Sequence, residues 1–307
     1  MTDADRLSRA DAPVAVLLNP SAGRGRHRDL LPDLVRRLGA VDRPVRVLTA
    51  RTAEAAEAEC RAAVTAGAGA VVAVGGDGTV HRAVQAVAGA GVPFGMVPAG
   101  TGNDLAADLG VPADPRAAAD AVVAALRAGR TRPVDLARMT CPDGAGRWFA
   151  TVLAAGFDAI VSERANRMRF PSGPRRYDLA ILAELARLRP RRYTLRLDGV
   201  QQRVEAVLVA VGNGTSYGGG MRICPHADLT DGLLDVVVGG RFDRRTLLRV
   251  KPRLYRGTHV EHQLVHTYRA RTVELAAEGI TTYVDGERAL DLPVTVTAVP
   301  GALRLLC

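Results

Sequence analysis

The chain has 307 residues, enough for two domains of ordinary size, and its 48% apolar and 24% charged residues exclude disordered and collagen-like architectures. The net charge is +9, and Lys251 is the single lysine among 41 cationic side chains, which excludes a phosphate loop of the GxxxxGK type. No apolar run reaches the roughly 18 residues of a spanning helix, and the start MTDADRLSRADAP lacks a secretory apolar stretch, so a cytoplasmic protein is expected.

Val14–Leu18 reads as a buried strand, followed by a Gly/Ser/Arg loop and a helix around Asp29–Leu38. Val45–Leu48 is a second strand, ahead of an Ala/Glu-rich helix capped by Thr52. Ala70–Val74 is a third, running into Gly75 and a helix from Thr79 to about Ala88. Phe94–Val97 is a fourth, and Asp114-Pro115 supplies the cap and first-turn proline of a helix ending at Gly129. Repeated strand–loop–helix units imply a parallel sheet covered on both faces, with ligands beyond the carboxyl ends of its strands. All three Gly-rich loops fall there.

Beyond about Arg147 the pattern changes. Two helical stretches, Phe157–Met168 and Arg175–Leu188, precede strands at Arg192–Leu197, Arg203–Val211, Leu233–Val238, Gln263–Tyr268, Thr272–Ala276, Thr281–Val284 and Val294–Val299. Asp198-Gly199, Asp231-Gly232 and Asp285-Gly286 supply turns, and a helical insert lies near Asp243–Arg256. The expected fold class is α/β plus β. A Rossmann-like parallel-sheet domain spans 1–139, and an antiparallel β-sandwich or barrel with helical inserts spans 140–307. The boundary is placed near Cys141–Gly146, and the tail from about 300 to 307 is expected to pack back on the first domain. The four cysteines show no CxxC spacing, so reduced thiols are expected rather than zinc or disulfides.

Residues 140–307 carry 24 cationic and 17 acidic side chains. Nine arginines lie between Arg164 and Arg192 against Asp178 and Glu184, and seven cations lie between Arg241 and Arg256 against Asp243. Such segments are either solvated helix faces or a surface for an anionic partner. With only 4% aromatic residues, membrane lipid fits that partner better than nucleic acid.

Asn19-Pro20-Ser21-Ala22-Gly23-Arg24-Gly25 follows the first strand and suits phosphate oxygens through backbone N–H groups, though a tight turn explains it equally well. Gly75-Gly76-Asp77-Gly78-Thr79 is more specific. Three glycines bring bare backbone near a polyphosphate, and Asp77 offers a carboxylate for Mg²⁺, serving a metal–nucleotide complex rather than a core contact. A simple capped turn needs one glycine rather than three. Pro98-Ala99-Gly100-Thr101-Gly102-Asn103-Asp104 holds the equivalent place after the fourth strand. In Tyr283-Val284-Asp285-Gly286-Glu287, hairpin chemistry explains Asp285-Gly286 and leaves Glu287 unexplained.

In this order and spacing, NPSAGRG, GGDGT, PAGTGND and DGE resemble the diacylglycerol kinase catalytic-domain family, which includes soluble bacterial lipid kinases, sphingosine kinases and ceramide kinases. VDLA at Val134–Ala137, GFDAIV at Gly156–Val161, RANRMR, NGTSYGGGM and DGLLDVVV fit too. The resemblance covers about residues 13–306 and is greatest to diacylglycerol kinases of actinobacterial type. It implies an ATP- and Mg²⁺-dependent kinase acting on the free hydroxyl of a diacylglycerol-like lipid.

Carried onto this chain, the resemblance assigns nucleotide binding to Asn19, Gly23, Thr49, Gly75, Gly76, Asp77, Gly78, Thr79, Gly100, Thr101, Asn103 and Asp104. It makes Glu287 the proton acceptor, with Asp77 beside it in the catalytic set and Asp285 next in line. Asp77 serves the nucleotide Mg²⁺, and Asp228, Asp231 and the Leu233 carbonyl match a structural Mg²⁺ site. Without a lysine, Mg²⁺, N–H groups and Arg24 or Arg26 are left to neutralise the phosphates. The implied partners are ATP, the lipid and, reversibly, an anionic inner membrane face, with no nucleic acid; a homodimer stays open. Other lipid alcohols, NAD as acceptor, and a non-catalytic regulator are the alternatives. DGE and PAGTGND argue against NAD kinase, and intact Asp77 and Glu287 against a dead copy.

Overall fold

The computed structural model describes residues 12–19, 31–41, 43–50, 52–168 and 174–307. The chain divides into two compact units, one of Met1–Leu136 with Val299–Cys307 and one of Ala137–Ala298.

The first unit alternates β1 (Val14–Leu18), α1 (Leu31–Leu38), β2 (Val45–Leu48), α2 (Ala53–Thr65), β3 (Ala70–Gly75), α3 (Asp77–Val87) and β4 (Pro93–Pro98). α4 (Asp104–Asp108), α5 (Pro115–Ala128) and the start of β5 (Thr131–Thr140) follow. The strands pair in parallel in the order β2-β1-β3-β4. Val14, Val16, Val72 and Val74 pack with Leu34 and Leu38 of α1 and with α5, while Ala15, Leu17, Val71 and Ala73 are equally buried on the other face. Strands covered on both sides need near-continuous apolar runs, which VAVLL and AVVAVG supply. Local chemistry sets the helix ends: Thr52 accepts the Ala55 N–H at 3.2 Å, Asp114 accepts that of Ala117 at 2.9 Å, and Gly129 closes α5 at φ +61°. From β1 the chain moves to β2 on one side and returns to β3 on the other. That reversal opens a crevice at the carboxyl ends of β1 and β3.

The second unit holds the rest of β5, then β6 (Gly146–Phe149), β7 (Val152–Gly156), α6 (Phe157–Arg167), α7 (Pro174–Ala186), β8 (Arg191–Leu197), β9 (Val200–Ala206), β10 (Leu208–Gly212) and β11 (Leu234–Gly239). After α8 (Arg244–Leu254) come β12 (Val265–Ala270), β13 (Thr272–Ala276), β14 (Thr281–Val284), β15 (Glu287–Asp291) and the start of β16 (Val294–Leu306). One antiparallel sheet runs β12-β11-β10-β7-β14-β15; the facing layer pairs β16-β13-β8-β9, with a β5–β6 pair. Met139, Phe149, Leu153, Tyr193, Leu195 and Val236 lie in the core between the layers.

The strand expected at Arg203–Val211 is two strands. The alternating, partly exposed β9 ends at Ala206, the chain bends at Val207, and the buried β10 joins the other sheet. A chain that changes sheet at a sandwich corner turns in this way. β5, β6, β7 and β15 are additional to the expected strands. β7 reads VLAAG, poor in strand formers, because space is short: a Cβ on Gly156 would stand 2.6 Å from the Val207 carbonyl oxygen.

Candidate functional site

In the first unit, Asn19, Thr49, Gly76 and Ala99 each follow the carboxyl end of a parallel strand. Gly23, Arg24 and Arg26 lie outside the described residues. The GGDGT and PAGTGND loops touch. A Cβ on Gly100 would come within 2.4 Å of the Gly76 Cα, and one on Gly75 within 2.3 Å of the Thr79 hydroxyl. Gly76 and Gly100 therefore serve loop-to-loop approach, and Gly75 leaves room for Thr79 of its own loop, as well as any ligand.

Asp77 joins the two loops: its Oδ2 accepts the Asn103 N–H at 2.8 Å and its Oδ1 that of Asp104 at 2.7 Å. To the metal–nucleotide role expected for Asp77 the structure adds this tie between loops. Asn103 sits at φ +59° and closes its own loop by accepting the Gly100 N–H at 2.9 Å. The Asn19 side-chain amide donates to the Thr79 hydroxyl at 3.3 Å, linking the first loop to the second. Asp104 is buried, whereas Thr49 and Thr101 are exposed. At the head of α3, Gly76 makes no side-chain cap bond, so the positive end of this 11-residue helix emerges among bare backbone.

In the second unit, Asp285 (φ +50°) and Gly286 (φ +82°) form a two-residue turn that pairs Val284 with Glu287 and Tyr283 with Arg288. The Asp285 carboxylate accepts the Thr151 N–H and hydroxyl, each at 2.8 Å, and the Ala150 N–H at 3.2 Å. Glu287 is half-buried at the first position of β15.

α6 reaches the same hairpin. Glu163 accepts the Tyr283 hydroxyl at 2.9 Å and the Arg288 Nε at 3.1 Å. Burial works against its charge, but bonds from Tyr283, Arg288 and Arg167 outweigh it and hold its pKa below the usual value. Burial, then the bond to Glu163, pushes Tyr283 up to about 12. At the head of α6, part-buried Asp158 accepts the Tyr217 hydroxyl at 2.6 Å, and desolvation raises its pKa. Thr151, Glu163 and Asn213 carry no assignment from sequence. The GFDAIV and NGTSYGGGM stretches hint at two of the three regions, and nothing marks Thr151.

Among the described residues no three His, Cys, Asp or Glu side chains converge as a metal cage. Asp77 still fits a nucleotide-bound Mg²⁺ by its chemistry, because Mg²⁺ usually takes one or two carboxylates plus phosphates. The second metal group fits less well. Asp228 accepts the Thr230 N–H at 2.9 Å and its hydroxyl at 2.6 Å. Asp231 accepts the Leu233 N–H at 2.9 Å and pairs with Arg269. A guanidinium already balances Asp231, so a cation there would compete with Arg269.

The family described as "Diacylglycerol kinase catalytic domain" matches residues 13–139, and that described as "YegS C-terminal NAD kinase beta sandwich-like domain" matches 151–307. A curated diacylglycerol kinase of Mycobacterium tuberculosis is 44% identical over 295 residues, covering 95% of this chain and 94% of the relative. A YegS-like lipid kinase of Stenotrophomonas maltophilia is 30% identical over 254 residues, covering 79% and 80%. Among solved structures, a diacylglycerol kinase of Bacillus anthracis aligns with a TM-score of 0.69 at 20% identity over 96% of both chains. An NAD kinase of Archaeoglobus fulgidus in complex with ATP aligns with a TM-score of 0.52 at 16% identity over 95% and 92%. The two structures share the fold, and the sequence matches carry the kinship: the chain belongs to the diacylglycerol kinase catalytic-domain family and is an enzyme of the lipid kinase class.

Proposed function

We propose that the chain transfers the terminal phosphoryl group of ATP to the free hydroxyl of diacylglycerol, giving ADP and phosphatidic acid. The observation that carries this reading is the contact between the GGDGT and PAGTGND loops beside the open head of α3. Backbone N–H groups and the helix dipole there suit a polyphosphate in a chain with no lysine to spare for it. Asn19, Thr49 and Thr101 border the same strand ends. Mg²⁺, when bound with the nucleotide on Asp77, neutralises phosphate charge. Phosphoryl transfer asks the protein chiefly for position and charge balance. As the lipid oxygen bonds to phosphorus and the bond to ADP breaks, Glu287 takes the hydroxyl proton.

The second unit supplies features suited to a lipid. A cavity of about 440 Å³ has Phe157, Ile160, Leu188 and Val207 on its walls and Arg187, Arg189 and Arg191 beside them. Four exposed large apolar residues, Leu179, Leu182, Leu248 and Tyr255, lie on or directly after α7 and α8. Arg244 of α8 donates to the Ala186 carbonyl at the end of α7. The two arginine-rich segments thus adjoin, as a surface that contacts an anionic inner membrane face would require.

The test is a labelled-ATP assay in mixed micelles against diacylglycerol, monoacylglycerol, a sphingoid base and a polyprenol, with NAD as control. Label entering diacylglycerol in a Mg²⁺-dependent manner is expected. Label entering only NAD or another alcohol overturns the acceptor assignment.

A further inference from the structure

The hairpin that carries Glu287 is gripped at its tip and at its stem. At the tip, the Asp285 N–H donates to the Val152 carbonyl at 3.2 Å, and its carboxylate takes the Ala150 and Thr151 donors. The turn that receives it is itself clamped. The Asn213 and Gly214 N–H groups donate to the Thr151 carbonyl, each at 2.8 Å, and the fully buried Asn213 amide donates to the Ala150 carbonyl at 2.8 Å. At the stem, Tyr283 and Arg288 form the cross-strand pair next to Val284 and Glu287, and both bond Glu163 of α6. The Asn166 amide adds a bond to the Tyr283 hydroxyl at 3.1 Å. α6 is tied in turn to the NGTSYGGGM segment through Asp158 and Tyr217.

Within its sheet β14 pairs with β7, but β15 is the edge strand, so the turn that carries Glu287 is held by the ladder on one side. A proton acceptor at the mouth of such a turn would swing by more than proton transfer tolerates, since misplacement by about 1 Å can cost roughly 100-fold in rate. Burying the Asn213 side chain carries a stability cost that turn formation alone does not require.

We propose that Asp285, backed by Thr151 and Asn213, and Glu163 are positioning residues that fix the Glu287 carboxylate, with GFDAIV and NGTSYGGGM as their supports. This rests on reading Glu287 as the proton acceptor. It removes Asp285 from the line of alternative bases, because its oxygens are committed to the Ala150–Thr151 turn.

The test is a mutant cycle on the full chain, measuring kcat, the KM for ATP and melting temperature for Thr151→Val, Thr151→Ser, Asp285→Asn and Glu163→Gln, alone and combined with Glu287→Gln. Thr151→Val, Asp285→Asn and Glu163→Gln are expected to lower kcat by about 10- to 100-fold with the ATP KM little changed. Thr151→Ser, which keeps the hydroxyl, restores kcat. In the Glu287→Gln background the same changes add almost nothing, because they act through the group already lost. A full penalty persisting there, or unchanged kcat in both Thr151→Val and Asp285→Asn, overturns the positioning role while leaving the base assignment standing. Unchanged kcat in Glu287→Gln alone overturns the base assignment, and this inference with it. If Asp285→Asn melts too low to assay, the Thr151 pair decides.

Discussion

Asp77 shows how one carboxylate can serve structure and chemistry together. It accepts two backbone N–H groups of the neighbouring loop, one of them from buried Asp104. Asp77→Ala should therefore abolish turnover and also destabilise the fold by about 1–3 kcal/mol, the cost of stranding buried donors. Thermal melts run beside the kinase assay check this, and a wild-type melt would mean that the tie contributes nothing to stability.

Asp158 behaves differently: the Tyr217 hydroxyl and the Ala159 and Asp158 backbone N–H groups ease its burial without outweighing it. Burial raises its folded pKa above the ordinary 3.8, so the folded chain keeps the proton to higher pH than the unfolded chain does. Stability then falls as pH rises from about 4 through the raised value. Asp158→Asn keeps an acceptor for Tyr217 and cannot ionise. It should melt higher than wild type at pH 7.5 and lose that advantage at pH 4. An equal offset at both pH values would show that ionisation is irrelevant.

Among the elements, the strands that defied local reading are those whose sequence answers to neighbours. β16 runs for 13 residues through Pro300-Gly301, a pair that ordinarily ends a strand. Gly301 takes φ +61°, and its N–H is collected at 2.7 Å by buried Asp135 of the VDLA stretch. The helices were easier to read, because their ends carry their own chemistry. Asp243 caps α8 by accepting the Thr246 N–H at 2.7 Å, and Gly129 closes α5. α8 buries only Val250 along its length and leaves its cations in solvent.

For the whole molecule, charge is the property that outlives any one contact. Arg192 and Arg241, from the two arginine-rich segments, both pair with Glu205, so cations 49 residues apart in the chain gather around one acid. The proposed contact with anionic lipid predicts how the enzyme meets its substrate. Vesicle co-sedimentation of wild type should rise with anionic lipid and fall with salt. Arg245→Glu/Arg249→Glu/Arg253→Glu should weaken it, each cation contributing about 1 kcal/mol near such a surface. Equal binding of both proteins to neutral and anionic vesicles would remove electrostatic docking and leave the kinase assignment intact.

The sequence by itself determined the class of architecture and the kinship. Buried parallel strands must be written as apolar runs, tight turns as Asp-Gly, and loops that pass close to one another as glycine, so these survive as local text. VAVLL, AVVAVG, GGDGT and DGE could be read for that reason. The tertiary structure alone decided what the side chains of those motifs do. Whether Asp77 faces solvent or bonds the Asn103 backbone depends on a loop 26 residues away, and whether Asp285 is free depends on a turn 134 residues away. Hydrogen bonds between distant segments leave no period or spacing in a single chain. Thr151, Asn213 and Glu163 became visible only when folding brought their partners within about 3 Å.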